Sequence, residues 1–264
     1  MMQSKRHTEI LKLLSSEGTI AISALAERLG VSLETIRRDV RPLTESGELI
    51  KLHGAVGLAG QIGEAPFERR MRQNADAKRR IAKVVAATVR DGDSIMLDTG
   101  TTTSFLAREL VGHRRLTVVT NSSDIARTLA TVNGNRVYMA GGELRSDSGA
   151  AFGGSAIEFI CRFSVDHAVI SAGAVDAKNG IMDFELAEAE FARAVIARGE
   201  RVIVATDASK FGRRGLVTVC GFADIDEIVT DALPPAEMAH AISAAGARFA
   251  IAGAPNLISA KVVA

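Results

Sequence analysis

The chain has 264 residues, enough for one small domain and one of ordinary size. Two cysteines exclude a disulfide-dense scaffold, no secretory leader opens the chain and no apolar run is long enough for a bilayer, so a cytoplasmic protein with no membrane partner is expected. The net charge of +1 is unevenly spread, with +4 on residues 1–80 and −3 on the remainder, which suits a DNA-binding module joined to something else.

Residues 4–16 place Ile10, Leu11, Leu13 and Leu14 on one helical face, and Gly18 is its stop. A second helical pattern runs over residues 22–29 and closes at Gly30. Ser32 can then cap a third helix by accepting hydrogen bonds from its free N–H groups, and Gly47 ends it. Helix, tight turn and helix form a reading unit for duplex DNA. Its second helix carries Thr35, Arg37, Arg38 and Arg41, the short polar and basic side chains that a helix in a major groove needs. Ser32, Thr35 and Arg38 are expected nearest the bases, with Arg37 and Arg41 on phosphate or the groove wall. The competing reading pairs Arg37 or Arg38 with Glu34 or Asp39 on the surface.

Leu49–Leu52 and Ala55–Leu58, joined about Gly54, read as a two-stranded wing whose Lys51 and His53 would touch phosphate. Residues 1–58 are thus expected to be a winged helix-turn-helix domain for double-stranded operator DNA. Residues 59–77, with Gly60, Gly63, Pro66 and the run Arg69-Arg70-Met71-Arg72, read as a linker with a helical end.

From residue 78 to 256 the pattern alternates. Helical segments at 81–89, 103–110, 124–131, 157–163, 187–198 and 236–245 interleave with apolar strands at 94–97, 116–119, 137–140, 168–171, 202–205, 227–229 and 249–252. Val- and Ile-rich strands separated by helices imply an α/β domain with a largely parallel sheet covered on both faces. Cys161 and Cys220 sit in apolar stretches of this region and read as reduced core residues.

In such a sheet, ligands bind beyond the carboxyl ends of the strands. The first strand delivers Asp98-Thr99-Gly100-Thr101-Thr102-Thr103 to that edge, and the second Asn121 and Ser122. Gly141, Gly142 and Arg145 follow the third strand, Gly173 the fourth and Lys210 the fifth. A glycine that admits close approach, hydroxyl donors and a helix N-terminus make a phosphate cradle of the first loop. The alternative is an ordinary strand-to-helix turn with capping threonines. Asp183 and Glu188 are candidates for contacts to ligand hydroxyls, or else helix caps. Asp98-Thr99-Gly100 spells the aspartic-protease motif, but the loop enters a helix and has no second copy. No P-loop, dinucleotide or metal-ligand pattern is present, so neither a cofactor nor a metal is expected.

Leu25-Ala26 and the run Val31–Asp39 resemble the helix-turn-helix of the DeoR family of bacterial transcription regulators. His53-Gly54 is similar to that family's wing, with Ala55 where a second glycine is common. Asp98–Thr102, Thr120–Ser122, Gly141-Gly142 and Asp207–Gly212 resemble its effector domain. The resemblance implies a fold similar to sugar-phosphate isomerases and a phosphorylated sugar or polyol effector. Gly141–Arg145, and Thr230–Ala232 with Pro234-Pro235, resemble the glycerol-3-phosphate repressor branch, which makes glycerol 3-phosphate the first candidate effector. The family commonly has a Lys where this chain has Ala192, which implies an altered ligand preference or weaker binding.

Two functions stand side by side. One is a DNA-binding regulator, a repressor of a carbohydrate or polyol catabolic operon, working as a homo-oligomeric dimer or tetramer on repeated half-sites. The other is an active isomerase-type enzyme carrying a DNA-binding head, with Asp98, Asp183 or Glu188 as its base. Spacing identifies no acid–base pair, so an enzyme is not expected.

Overall fold

The computed structural model describes residues 5–46, 48–52, 54–58 and 64–253. The chain forms two compact units, divided between Arg69 and Arg70.

In the first unit, helices α1 (Lys5–Glu17), α2 (Ile22–Arg28) and α3 (Leu33–Glu45) pack with strands β1 (Thr19–Ala21), β2 (Leu49–Leu52) and β3 (Ala55–Leu58). The strands form an antiparallel sheet in the order β1-β3-β2. Ile10, Leu14, Leu25, Ile36, Val40, Leu49 and Val56 meet in one core. Gly30, at φ +62°, makes the left-handed turn out of α2, and the Val31 N–H then returns to the Ala26 carbonyl. Strand β1 was not expected: three residues are too few to show an alternation.

The second unit takes in the end of α4 (Phe67–Arg72), then α5 (Ala75–Ala86), β4 (Ser94–Leu97), α6 (Thr101–Glu109), β5 (Thr117–Thr120), α7 (Ser123–Leu129) and β6 (Arg136–Met139). It continues with α8 (Gly154–Ile160), β7 (Val165–Ile170), β8 (Ala174–Asp176), β9 (Gly180–Asp183), α9 (Leu186–Ile196) and β10 (Gly199–Ala205). Strands β11 (Val217–Cys220) and β12 (Glu227–Thr230), helix α10 (Ala236–Ala244) and β13 (Arg248–Ile251) complete it. The seven expected strands form one sheet, β13-β12-β10-β7-β4-β5-β6, in which every pairing is parallel.

Successive strand residues face opposite layers, as the two-residue period requires. Met96, Ala168, Ile170, Val204 and Ile228 pack on α8, α9 and α10. Ile95, Leu97, Val118, Val169, Ile203 and Val229 pack on α5, α6 and α7. Helix α5 starts six residues before its expected position, because its stripe of Ala77, Ile81, Ala82 and Val85 begins just after Asn74.

From β4 the chain moves outward to β5 and β6, then returns to the other side of β4 as β7. The strand order therefore reverses between β4 and β7, the place where an open sheet leaves a crevice at its carboxyl edge. A separate antiparallel sheet, β8-β9-β11, lies in the segments that follow β7 and β10. Gly180, at φ +76°, begins β9 so close to β11 that a Cβ would come within 2.4 Å of the Cys220 carbonyl oxygen.

The cysteine expectation needs correction. Cys161 ends α8 and is exposed, because it falls off the apolar stripe of that short helix. Cys220 is partly buried, and burial pushes its thiol up to about 12. Ile160 is a core residue, with Ile157, Phe159 and Phe163 packed beside it. No helix among the described residues is long and apolar enough to cross a membrane.

Candidate functional site

The head presents its basic residues on α3 and β2. Ser32 caps α3, its hydroxyl oxygen accepting from the Thr35 N–H at 3.1 Å. The two hydroxyls of Ser32 and Thr35 also lie 2.8 Å apart, which fixes both at the helix start. Arg37, Arg38, Arg41, Lys51 and a single acid, Glu34, line a groove of about 540 Å³ between α3 and the wing. Arg37 stands 4.0 Å from Glu34, and Arg41 donates to Glu45 at 2.8 Å. Both pairs are well exposed and screened by solvent, so each contributes little and releases its cation readily. Arg38 is exposed and makes no ion pair among the described residues. His53 lies outside the described residues.

Asp39, the last residue of the motif, faces the other way. It is buried against α1 and accepts from the Arg6 guanidinium through both oxygens, with His7 at 4.0 Å. The Arg6 hydrogen bonds hold its carboxyl below the usual carboxylate range. Neither Arg37 nor Arg38 pairs with it.

In the second unit, Asp98 and Gly100 meet the loop after β7 at the reversal between β4 and β7, and the other candidate residues lie on the loops that follow neighbouring strands. Asp98 follows β4, is 7% exposed, and reaches across to the loop after β7. Its Oδ2 accepts from the Ser171 N–H at 3.0 Å and the Ser171 hydroxyl at 3.4 Å. Its Oδ1 is enclosed, with no hydrogen-bond partner among the described residues. Burial raises this carboxyl well above the ordinary value, and the negative charges of Asp183 and Glu188 raise it further.

Gly100 begins α6 with no side-chain cap, so the first N–H groups of that helix are left for another acceptor. A Cβ on Gly100 would lie 2.1 Å from the Ser171 hydroxyl oxygen, so only glycine lets the two loops meet. Thr101 and Thr102 are buried in the first turn. Thr103 is fully buried, and its hydroxyl donates to the Asp98 and Gly100 carbonyls, both at 3.0 Å. It shapes the loop, and the expectation that its hydroxyl faces a ligand is not met.

Asn121 and Ser122, both buried, hold the neighbouring loop. The Asn121 amide donates to the Ala151 carbonyl at 2.8 Å, while its Oδ1 is enclosed without a hydrogen-bond partner among the described residues. Ser122 caps α7. The 141–151 segment, with Gly141 and Gly142 exposed at its start, folds back along them through bridges of Ser122 with Ala150 and Leu144 with Ala151. Arg145 on this segment pairs with Glu188 in the first turn of α9 and stands 4.6 Å over the ring of Phe152. Gly173 packs against the Asp183 backbone, where a Cβ would sit at 3.3 Å. Asp183 Oδ1 accepts from the Phe184 and Glu185 N–H groups and so turns the chain into α9.

Lys210 ends a short turn capped by Asp207, and the Gly212 N–H ties that turn to Val175 of β8. The Asn74 amide donates to Asp207 at 2.9 Å. Asn74, Ala151 and Phe152 escaped the sequence reading: their roles come from partners far along the chain. Ala192 is buried in the apolar layer on α9. No group of three or more His, Cys, Asp or Glu among the described residues could hold a metal ion.

Comparison with known proteins matches both units. Residues 6–61 fit the model of the DeoR-like helix-turn-helix domain, and residues 73–232 that of the DeoR C terminal sensor domain. The chain is 32% identical over 243 residues to the glycerol-3-phosphate regulon repressor of Escherichia coli (strain K12), covering 92% of this chain and 96% of that one. It is 36% identical over 228 residues to the transcriptional repressor AccR of Agrobacterium fabrum, covering 86% and 88%. It is 34% identical over 233 residues to the HTH-type transcriptional repressor CsqR of Escherichia coli (strain K12), covering 88% and 89%. Among solved structures, ribose 5-phosphate isomerase A from Methanocaldococcus jannaschii aligns with 52% of this chain and 55% of its own, at 19% identity and TM-score 0.39.

Proposed function

The chain belongs to the DeoR family, and from that premise we propose that it represses a carbohydrate or polyol catabolic operon and leaves its operator when a phosphorylated sugar or polyol fills the sensor. The helix-turn-helix makes it a DNA-binding regulator and the sensor domain takes a small molecule. The observation that carries the choice of ligand is the uncapped start of α6 at the β4–β7 reversal, next to enclosed polar oxygens of Asp98, Thr99 and Asn121 that have no hydrogen-bond partner among the described residues. Free N–H groups suit a phosphate, and enclosed oxygens suit the hydroxyls of a small polyol. Thr101, Thr102, Gly141, Gly142, Arg145 and Lys210 complete the phosphate side in this reading, and Asp183 and Glu188 the hydroxyl side. Glycerol 3-phosphate is the first candidate, since one relative is named for that compound's regulon.

Release requires that the ligand prefer a conformation in which paired heads no longer fit their half-sites, so a homo-oligomer belongs to the proposal. A thermal-shift screen tests the sensor. Glycerol 3-phosphate is expected to raise Tm and glycerol to leave it unchanged, because a ligand that binds only the native state stabilises it. Stabilisation by unphosphorylated compounds alone would sink the phosphate reading.

The head is tested separately. Arg38→Ala is expected to weaken operator binding by roughly 1–3 kcal/mol, the range for a bidentate base contact. Arg41→Ala should instead lower affinity for all duplexes alike and flatten the salt dependence, as loss of a phosphate contact does. Gel-shift titrations on operator and unrelated duplex at several salt concentrations separate the two. Equal losses on both duplexes for Arg38→Ala would remove it from base reading.

A further inference from the structure

This inference deepens the sensor reading above and rests on it. We propose that Asp98 meets the effector as a neutral carboxylic acid, donating a hydrogen bond from Oδ1 to a hydroxyl or carbonyl oxygen of the ligand. An ionised Asp98 would do the opposite and accept from a ligand hydroxyl.

The geometry distinguishes the two oxygens. Oδ2 already accepts two hydrogen bonds from Ser171, one from its N–H and one from its hydroxyl, so the proton belongs on Oδ1. Oδ1 is enclosed with no donor among the described residues. An ionised oxygen in that position would be buried without a partner, far worse than a buried neutral O–H. The Thr103 hydroxyl donates to the carbonyls of Asp98 and Gly100 and also lies close enough to the Asp98 carboxyl to favour its ionised form, a smaller effect than burial.

The charges acting on Asp98 are those of Asp183, at the end of β9, and Glu188, on α9, and both are negative. The cation beside Glu188, Arg145, is paired with Glu188 itself. Burial, the largest influence, and these two carboxylates raise the Asp98 carboxyl well above its ordinary range, outweighing the opposite pull of the Ser171 N–H and the Thr103 hydroxyl. Ser171 in turn is fixed by Gly100, which packs directly on its side chain. Asp98 is thus held in one orientation with its proton on the oxygen left for a ligand.

Asparagine imitates the acid and not the carboxylate: its oxygen can accept from Ser171, and its amide N–H can donate where the acid O–H would. Calorimetric titration of the full chain with glycerol 3-phosphate is therefore expected to give Asp98→Asn an affinity within about threefold of wild type, and Asp98→Ala a loss of about tenfold or more.

A second measurement needs no ligand. A carboxyl whose folded pKa is raised contributes stability that is complete below its unfolded pKa and is lost as pH rises towards the folded one. The Tm advantage of Asp98→Asn over wild type should therefore grow as pH rises above the unfolded carboxyl pKa towards the raised folded one. An advantage that is flat with pH overturns the proposal whatever the ligand does. A growing advantage with Asp98→Asn as poor a binder as Asp98→Ala overturns the donor assignment. If wild type ignores glycerol 3-phosphate altogether, the choice of effector fails, while the pH comparison still decides the state of Asp98.

Discussion

Gly100→Ala is expected to silence the sensor while the head continues to bind duplex DNA. Gly100 lies at φ −170°, extended backbone open to any residue, so the constraint is space and not conformation. An added Cβ would stand 2.1 Å from the Ser171 hydroxyl oxygen and 2.8 Å from the Ser171 Cβ. Rotation of the serine could relieve the first clash but not the second, so the loops after β4 and β7 must separate. That movement takes Asp98 from its Ser171 partners and shifts the first turn of α6, the two features on which the proposed ligand site is built. Overpacking of this kind costs about 1–3 kcal/mol of stability. Affinity for glycerol 3-phosphate should fall by more than about tenfold, since a site held to well under an ångström is displaced by more than that. A double variant with Ser171→Gly removes both clashing atoms and keeps the main-chain hydrogen bond to Asp98. It should recover most of the lost Tm and part of the ligand-induced shift. A Gly100→Ala protein with a full ligand-induced Tm shift would mean that the two loops are not held together as described.

How much of this could be read beforehand depended on the range of the interactions. The seven-stranded sheet was legible because strands such as Ala168-Val169-Ile170 are buried on both faces and read as apolar runs between helices. The start of α3 was legible because Ser32 and the N–H that it caps are three residues apart. The β8-β9-β11 sheet was not: its strands have three or four residues, and its shape depends on contacts such as Gly180 against Cys220. The same limit applied within the candidate site. Asp98, Asn121 and Arg145 stood out as residue types on loops, but Asp98 finds Ser171 across 73 positions, Asn121 finds Ala151 across 30 and Arg145 finds Glu188 across 43. Their partners decide which atoms remain for a ligand, and no local pattern encodes partners at those distances. Thr103 shows the cost of reading types alone, since its hydroxyl proved to be turned inward.

Asp39 is a further case, and its replacement carries the second large effect. Asp39→Ala is expected to destabilise the head and, through it, operator binding, although Asp39 faces away from the groove that α3 and the wing form. Its carboxylate is buried between α1 and α3, where both oxygens accept from Arg6. Removing the carboxylate breaks both charge-assisted hydrogen bonds at once, and a head this small has little stability in reserve. Loss of that tie lets α1 move off α3, so the recognition helix loses part of the platform that holds it.

The pH dependence has a definite sign. The folded pKa of Asp39 is lowered, chiefly by the Arg6 hydrogen bonds. Its contribution is therefore present above the unfolded carboxylate pKa and disappears as pH falls through the folded value. Wild type should lose head stability over that acid window, and Asp39→Asn, already weakened, should not lose it again. Circular-dichroism melts across the window provide the measurement. Arg6→Ala should reproduce the Asp39→Ala loss, and the double variant should add little to either, since the two side chains act as one unit. Additive losses in that cycle would show that Asp39 and Arg6 stabilise the head independently, and the anchoring of α1 on α3 would have to be sought elsewhere.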